Sequence, residues 1–159
     1  MLSKPHSFIS RDAPIVIKNM DMITVFQVAE LEKACFADPW SLNSLLVELL
    51  NPNAVYLTAM EERTLLGYMG MHHIIDEGHI TNLAISPAHR REGTGKLLLE
   101  TLISRACNSK MALLTLEVRA SNTAAINLYG KFGFLSVGLR RGYYQNPVED
   151  ALIMTLFLA

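Results

Sequence analysis

The sequence reads Arg90-Arg91-Glu92-Gly93-Thr94-Gly95-Lys96 at the point where a predicted strand gives way to a predicted helix. The two glycines let the backbone turn tightly and approach a ligand without a Cβ atom in the way. At the start of the helix the free N–H groups point outward and carry partial positive charge, which suits a phosphate group. Together with its three basic side chains, this stretch predicts an anion site for a ligand with more than one phosphate.

Two common phosphate-binding motifs do not fit the same stretch. A Walker A loop needs glycine five residues before Gly95 and serine or threonine after the lysine, where this chain has Arg90 and Leu97. A dinucleotide-binding fingerprint needs another glycine three residues after Gly95, where this chain has Leu98. The remaining alternative is a glycine-containing helix start whose basic side chains are simply solvated.

Hydrophobic spacing on either side of this loop predicts the elements of the fold. Apolar residues recurring every three to four positions indicate helices, and short alternating or continuous apolar runs indicate strands. The predicted helices lie within residues 21–36, 41–50, 95–107 and 121–132, with Ser41 and Ser121 as N-caps. The predicted strands lie within residues 13–20, 54–60, 65–75, 80–85, 111–119, 134–144 and 150–158, with Gly78 just before the fourth.

The predicted order of elements is β-α-α-β-β-β-α-β-α-β-β. We therefore predict one domain of the mixed α/β class over residues 13–159, with a central, mostly antiparallel mixed sheet of about seven strands and about four helices around it. Residues 1–12 are predicted to form a flexible N-terminal extension.

Composition excludes several classes of function. The formal net charge of -1 and the lack of a dense Lys/Arg block leave no footprint for nucleic acid or an anionic membrane. The chain has no run of ~20 apolar residues that could span a membrane, and the N-terminus lacks the apolar core of a signal peptide, so we expect a cytoplasmic protein.

Cys35 and Cys107 form no C-x-x-C motif and are expected to be reduced, buried thiols. The histidines lack metal-ligand spacing, so no metal is expected.

A second stretch, Leu116-Glu117-Val118-Arg119-Ala120-Ser121-Asn122, places polar groups at the end of a predicted strand. Side chains alternate along a strand, so Glu117 faces away from its apolar neighbours. On the following helix Asn122 and Tyr129 are seven residues apart and share one side. Acyl transfer to an amine needs a base for the amine and an acid for the leaving thiolate, and a carboxylate and a phenol can fill these roles. The alternatives are an ion pair between Glu117 and Arg119 and a core position for Tyr129.

These motifs resemble those of the GNAT superfamily of acetyltransferases. Its acetyl-CoA signature, [Gln/Arg]-x-x-Gly-x-[Gly/Ala], is present as Arg90-x-x-Gly93-x-Gly95 between a similar strand and a leucine-rich helix. The resemblance extends over nearly the whole chain from about Ile15. Residues 116–122, with a tyrosine twelve positions after the glutamate, closely resemble the RimI-type ribosomal-protein alanine N-acetyltransferases.

The resemblance implies a role for each matching residue. Glu117 is expected to be the general base and Tyr129 the general acid. Acetyl-CoA is expected to contact Asn122, a strand backbone and the phosphate loop: Leu83, Ala84, Ile85, Arg90, Arg91, Glu92, Gly93, Thr94, Gly95 and Lys96. Three aromatic residues are expected to border the peptide groove, or alternatively to pack at a loop corner and a strand end: Trp40, Tyr143 and Tyr144.

We hypothesise direct acetyl transfer in a ternary complex. The resemblance further implies that the acceptor is the N-terminal alanine of the eighteenth ribosomal protein of the small subunit. An α-amine is also the easier acceptor. Its reference pKa of about 7.8 lies roughly 2.6 units below that of lysine, so deprotonating lysine costs about 3.5 kcal/mol more. Two alternatives stay open: acetylation of other protein N-termini or small amines, and acetyl-CoA sensing without turnover. The chain departs from the RimI-type pattern at residues 36–39 and in its longer N-terminus.

Overall fold

The computed structural model describes residues 13–158, so the predicted extension over residues 1–12 lies outside the described part of the chain. Within residues 13–158 the elements follow in the predicted order. The strands are β1 (Ile15–Asn19), β2 (Ala54–Glu61), β3 (Thr64–Ile74), β4 (Glu77–Ile85), β5 (Leu113–Arg119), β6 (Leu135–Tyr144) and β7 (Glu149–Phe157). The helices are α1 (Thr24–Cys35), α2 (Leu42–Leu49), α3 (Thr94–Asn108) and α4 (Thr123–Lys131). None of these helices is long and apolar enough to cross a membrane.

The strands form one sheet in the order β1-β2-β3-β4-β5-β7-β6. Every neighbouring pair is antiparallel except β4 and β5, which are parallel. The parallel ladder is short and ends at the pair Ile80↔Leu116. Beyond it β4 stays paired with β3 as far as Ile85, and β5 stays paired with β7 as far as Arg119. The sheet therefore parts between the two strands, and we call this gap the β4–β5 opening. The predicted fold class is confirmed.

An irregularity in β4 lies at the point where the opening begins. Gly70 of β3 pairs with Asn82, whereas the next residue, Met71, pairs with Ile80, so Thr81 is an extra residue on β4. A bulge of this kind bends a strand and increases its local twist. Because Thr81 directly follows Ile80, we infer that the bulge turns β4 away from β5 where their pairing ends.

Helices cover both faces of the sheet. Helix α3 packs on one face through a fully buried stripe: Leu98, Leu99, Leu102 and Ala106. Helices α1 and α2 pack on the other face, mainly through Val25, Val28 and Leu45. The buried side chains form two hydrophobic clusters, one on each face of the sheet. Tyr68 and Met69, successive residues of β3, belong to different clusters because side chains alternate along a strand. Full burial of one leucine stabilises a fold by about 1.5–3 kcal/mol, so these stripes hold the helices on the sheet.

Two local predictions about element ends are wrong. The N-cap of α4 is Asn122, whose Oδ1 accepts a hydrogen bond from the N–H of Ala125 at 3.2 Å. Ser121 lies one residue outside the helix, because the N–H of Ile126 donates the first helical hydrogen bond to the carbonyl oxygen of Asn122 at 3.0 Å. Gly78 lies within β4 and not before it, because the pairing with β5 already begins one residue earlier.

The prediction for the cysteines is half right. Both are free thiols, but Cys35 is only half-buried and Cys107 is exposed. Cys107 follows Ala106 on α3, and it is Ala106 that belongs to the inward stripe of the helix.

Gly70 shows how tightly the face under α1 and α2 is packed. A Cβ atom at this position would lie 2.4 Å from Cε1 of Tyr56, a buried ring. We expect Gly70→Ala to lower the free energy of unfolding by about 1–3 kcal/mol, the usual cost of overpacking, as measured by urea denaturation. Gly130→Ala in α4 is the matched control, because no described atom lies within 4 Å of its added methyl group. Alanine is the better helix former, so the control is expected to be neutral or stabilising. Equal destabilisation by both changes would contradict this account of the packing.

Candidate active site

Glu117 is the first residue of β5 beyond the last pair with β4, so it lies where the β4–β5 opening begins. Its neighbours Leu116 and Val118 are buried on the other face, as predicted. Oε2 of Glu117 lies 2.6 Å from Nε2 of His79 on β4, and Oε1 lies 3.5 Å from Nη2 of Arg140 on β6. The carboxylate is therefore held at the edge of the opening, with only 12% of the side chain exposed.

Arg119 does not pair with Glu117. Its guanidinium donates to the carbonyl oxygens of Gln145 and Pro147 at 2.9 and 3.0 Å and pairs with Glu149 at 3.3 Å. The alternative prediction of a Glu117–Arg119 ion pair is therefore wrong. Arg119 anchors the β6–β7 loop to the end of β5, and it leaves the Glu117 carboxylate facing the opening.

Tyr129 lies on α4 with 4% of its surface exposed, and its ring packs against Phe134 at 5.4 Å between centroids. Burial raises the pKa of its hydroxyl, and nearby Tyr144 adds to this effect. The phenol therefore stays protonated at neutral pH. Burial also raises the pKa of Tyr144, to about 12, and Glu117 contributes to that shift. The predicted acid and base thus share Tyr144 as a common neighbour, while Tyr129 also belongs to the core cluster under α3.

The N-terminus of α3 is left uncapped by the described part of the protein. Its N-cap residue, Gly93, has a left-handed φ of 84°, and no described side chain accepts from the amides of the first turn. In α2 and α4 the side chains of Ser41 and Asn122 accept such bonds. The hydroxyl of Thr94 is buried without a hydrogen-bond partner among the described residues. These groups fit an anionic ligand, as expected of the phosphate loop.

The same helix start packs against the other parts of the opening. A Cβ atom on Gly95 would lie 3.3 Å from Cδ2 of Leu128 on α4 and 3.9 Å from the side chain of Ile85 at the end of β4. Leu128 directly precedes Tyr129. The phosphate loop, the end of β4 and helix α4 therefore meet at Gly95, where a larger side chain would press against Leu128.

Arg90 turns back onto the fold. Its Nε donates to the carbonyl oxygen of Ile85 at 3.3 Å, and its Nη2 contacts Sγ of Cys35 at 3.8 Å. The side chain joins the phosphate loop to the ends of β4 and α1. We therefore infer that Arg90 holds the phosphate loop in place, while its positive charge stays close to the N-terminus of α3.

The remaining charges of the loop are exposed. Glu92 pairs with His89 at 3.5 Å, and Lys96 pairs with Glu100 at 3.9 Å along α3. Arg91 is exposed and has a left-handed φ of 62°. Arg91 and Lys96 thus carry positive charge on either side of the uncapped amides.

The predicted backbone contacts lie on the free side of β4. Leu83, Ala84 and Ile85 pair with β3 on one edge, and their other edge faces the opening because β5 has already parted from β4. Asn122 lies at the start of α4, where its Oδ1 caps the helix. A ligand contact from this residue would therefore come from Nδ2.

A buried carboxylate fixes the α1–α2 loop next to the opening. Glu32 on α1 is 1% exposed. It accepts hydrogen bonds from the N–H of Trp40 at 3.0 Å, from Nδ2 of Asn82 at 3.2 Å and from the hydroxyl of Tyr68. These bonds tie the loop to β3 and β4, so Trp40 is held in one place.

A side-chain hydrogen bond joins the loops on the two sides of the opening. Nδ2 of Asn146, in the β6–β7 loop, donates to both carboxylate oxygens of Asp38 in the α1–α2 loop, at 3.2 and 3.1 Å. The α1–α2 loop is anchored on β4 through Glu32, and the β6–β7 loop is anchored on β5 through Arg119. The Asp38–Asn146 bridge therefore links a loop anchored on β4 to a loop anchored on β5.

The three aromatic residues predicted to border the groove lie on either side of this bridge. Trp40 is half-buried in the α1–α2 loop, 6.5 Å from the ring of Tyr56. Tyr143 and Tyr144 lie at the end of β6 and meet edge to face at 5.0 Å. Tyr143 is 46% exposed, while Arg119 lies 4.4 Å from the centre of the Tyr144 ring. Trp40 also packs against the hydrophobic core under α1 and α2, in agreement with the alternative prediction that it packs at a loop corner.

Sequence reasoning missed His79, Arg140 and the Asp38–Asn146 bridge. These contacts join residues that are distant in the chain, and they depend on strand register and loop shape. The pair His79↔Thr115 sets His79 on the face of Glu117, and no local pattern contains that information. Over residues 13–158, no group of three or more His, Cys, Asp or Glu side chains is arranged to hold a metal ion.

Comparisons with known proteins agree with this geometry. The acetyltransferase (GNAT) family matches residues 25–134. A Bacillus subtilis protein, provisionally named a ribosomal protein bS18-alanine N-acetyltransferase, is 39% identical over 139 residues, which are 87% of this chain and 92% of its own. The N-alpha-acetyltransferase RimI of Mycobacterium tuberculosis is 34% identical over 147 residues, 89% of this chain and 91% of its own.

A solved structure shows the same fold. The ribosomal-protein-S18-alanine N-acetyltransferase from Escherichia coli superposes with a TM-score of 0.85 at 30% sequence identity, covering 92% of this chain and 95% of that one. The residues matched by the family include the uncapped helix start, the β4–β5 opening, Glu117 and Tyr129. The chain belongs to the GNAT acetyltransferase family and is an acetyl-CoA-dependent N-acetyltransferase.

Proposed function

We propose that this enzyme acetylates the N-terminal alanine of ribosomal protein bS18 and that it does so in the cytoplasm. The observation that carries the proposal is the carboxylate of Glu117 at the start of the β4–β5 opening, which has Tyr144 as a common neighbour with the protonated, buried phenol of Tyr129. The names of the Bacillus subtilis relative and of the Escherichia coli structure support bS18 as the acceptor. An acetyltransferase for other protein N-termini remains the second candidate, because a RimI relative is named only for N-alpha acetylation.

In this proposal the start of α3 binds the pyrophosphate of acetyl-CoA. The first-turn amides and the hydroxyl of Thr94 donate hydrogen bonds, and the side chains of Arg91 and Lys96 supply positive charge. The free edge of β4 over residues 83–85 holds the acetyl and pantetheine part. One N–H of this edge stabilises the negative charge that develops on the carbonyl oxygen. Nδ2 of Asn122 adds a contact from the start of α4.

Glu117 and Tyr129 divide the proton chemistry between them. Glu117 takes a proton from the acceptor amine, directly or through water, and the hydroxyl of Tyr129 supplies a proton to the leaving sulfur. A phenol with a raised pKa is a weak acid beside a free thiol, whose reference pKa is about 8.5. The transfer is feasible because the burial that disfavours a phenolate also disfavours a thiolate in the same place.

The acceptor lies under the Asp38–Asn146 bridge in this proposal. Trp40 lies on one side of it, and Tyr143 and Tyr144 lie on the other. Deprotonating an α-amine costs less than deprotonating lysine, by about 3.5 kcal/mol at the reference pKa values. A single carboxylate base is therefore better matched to a protein N-terminus.

The two proposed catalytic side chains can be tested by near-isosteric changes. We expect Glu117→Gln and Tyr129→Phe each to lower kcat about 10²-fold or more, because each removes one proton-transfer group. The affinity for CoA, measured by calorimetry, is expected to stay within about twofold, since neither group lies at the start of α3. A variant that keeps the wild-type kcat would remove its side chain from the proposed proton chemistry.

The cofactor end of the site can be tested at Thr94. Its buried hydroxyl has no partner among the described residues, so Thr94→Val is expected to leave the stability of the free enzyme unchanged or raised. The same change is expected to weaken CoA binding about 10- to 100-fold, the value of one hydrogen bond to a charged group. Thr101→Val is the control on the same helix, because its Oγ1 already donates to the carbonyl oxygen of Leu97 at 2.9 Å. Equal CoA affinity in wild type and Thr94→Val would remove Thr94 from the cofactor site.

The acceptor can be tested by competition. We expect a short peptide with the N-terminus of bS18 to be acetylated in preference to polyamines and to peptides with unrelated N-termini. Tandem mass spectrometry should place the acetyl group on the α-amine and leave lysine side chains free. A matched peptide with a blocked N-terminus is the control and should remain unmodified. Preference for a polyamine would reject the proposed acceptor.

A further inference from the structure

Each turnover of an N-acetyltransferase releases a proton from its site. The acceptor enters as an ammonium ion and leaves as an amide, so the nitrogen gives up two protons. Protonation of the leaving sulfur is balanced by one of them, and the other is released to water. Glu117 is poorly placed for this release, because only 12% of its side chain is exposed.

One neighbour of Glu117 can accept its proton. The guanidinium of Arg140, 3.5 Å from Oε1, is always protonated and has no acceptor atom. The imidazole of His79 can accept a proton, and its Nε2 lies 2.6 Å from Oε2. With 33% of its side chain exposed, His79 lies nearer to water than Glu117 does. Its position therefore connects a shielded carboxylate to solvent.

We propose that His79 is the positioning and proton-relay partner of Glu117, an inference that rests on the proposed role of Glu117 as the base. Glu117 takes a proton as an N–H bond of the acceptor breaks. The freed electron pair of the nitrogen forms a bond to the thioester carbon, and the C–S bond breaks with its pair on sulfur, which takes the proton of Tyr129. The second proton that the nitrogen loses restores the Tyr129 phenol. The proton on Glu117 passes across the 2.6 Å bond to Nε2 of His79. The imidazolium then loses the proton at Nδ1 to water, which leaves the neutral ring protonated at Nε2. Exchange of that proton with water and reprotonation at Nδ1 restore the starting tautomer.

The charged and polar surroundings of His79 come from several elements. Thr115 pairs with His79 from β5, next to Glu117. His72 lies directly opposite on β3, so the two imidazoles share one face of the sheet. Glu48 of α2 lies 2.6 Å from Nε2 of His72. Arg140 approaches from β6 through its pair with Glu117.

The His72–Glu48 pair supplies a matched control. It has the same 2.6 Å separation between Nε2 and a carboxylate oxygen as the His79–Glu117 pair, and it lies on the same face one strand further from the opening. A change at His72 therefore removes an equivalent hydrogen bond without touching Glu117.

The first experiment compares His79→Gln with His72→Gln. Glutamine can still donate a hydrogen bond to Glu117, but it cannot carry a proton. We expect His79→Gln to lower kcat about tenfold and to change the shape of its pH profile, with little change in KM for acetyl-CoA. His72→Gln is expected to stay within about twofold of the wild type with an unchanged profile. If His79→Gln keeps the wild-type kcat and pH profile, His79 has a purely structural role and the relay is overturned. An equal loss of kcat in His79→Gln and His72→Gln would overturn it as well.

The second experiment restores the missing base from solution. In His79→Ala, added imidazole is expected to raise the rate, and a series of substituted imidazoles should raise it in proportion to their basicity. Glu117→Gln should show no such rescue, because its first proton acceptor is gone. If the rate increase does not depend on the basicity of the added imidazole, the imidazole only fills a cavity and the relay is overturned. If no imidazole raises the rate, proton transfer through this position is excluded.

A measurement without turnover separates this inference from the proposed function. A wild-type enzyme that acetylates no alanine peptide would reject the proposed acceptor only. Nitrogen NMR of labelled histidine is expected to show that Glu117→Gln shifts the Nε2 resonance of His79 and leaves that of His72 unchanged. An unmoved His79 resonance would show that the two side chains do not share a proton and would overturn the relay.

Discussion

The structure of the site depends on the early end of the pairing between β4 and β5. A parallel ladder that continued past Ile80 and Leu116 would satisfy the backbone of β4 and close the centre of the sheet. Because the ladder ends there, one edge of β4 remains free, and Glu117 faces a gap instead of a neighbouring strand. Each backbone hydrogen bond contributes only about 0.5–1.5 kcal/mol net, so the fold can give up several of them at this point. Packing of α3 and α1 on the two faces holds the strands apart and in place.

The buried polar groups around the gap divide into two kinds. Glu32 is saturated, with three donors from three different parts of the chain, and it serves the shape of the α1–α2 loop. Thr94 Oγ1 and Asn82 Oδ1 are buried without partners among the described residues. An unsatisfied buried group costs about 1–3 kcal/mol, a cost that binding of a polar ligand could remove. Glu32 therefore belongs to the scaffold, and the unpaired hydroxyl of Thr94 supports the proposed cofactor site.

Much of the fold could be predicted from the sequence because its signals are local. The leucine stripe of α3, the alternation around Glu117 and the cap at Ser41 each depend on a few neighbouring residues, and these predictions are confirmed. The errors have physical reasons of a different kind. Serine and asparagine are comparable caps, and the cap of α4 is Asn122 because the first helical hydrogen bond goes to the carbonyl oxygen of that residue. Gly78 belongs to β4 because the pairing between β4 and β5 already begins one residue before it, at Glu77.

The candidate site was predictable only in part. Motif resemblance assigned the phosphate loop, Glu117 and Tyr129, and these roles remain proposals that the geometry supports. The contacts of Glu117 could not be predicted, because His79 and Arg140 reach it through strand register and sheet order. The same reason explains why Arg119, a near neighbour in sequence, was a wrong partner. It bonds to the β6–β7 loop, whose shape no local pattern describes.

The Asp38–Asn146 bridge has a consequence for the timing of substrate entry. A single exposed hydrogen bond to a carboxylate contributes about 1.5 kcal/mol, which corresponds to roughly one molecule in ten having it broken at any instant. Exposed side chains change rotamer within nanoseconds, far faster than a catalytic cycle that lasts milliseconds or longer. The bridge therefore works as a latch in rapid equilibrium. For the proposed acceptor site under the bridge, it follows that admission of a peptide need not limit the rate.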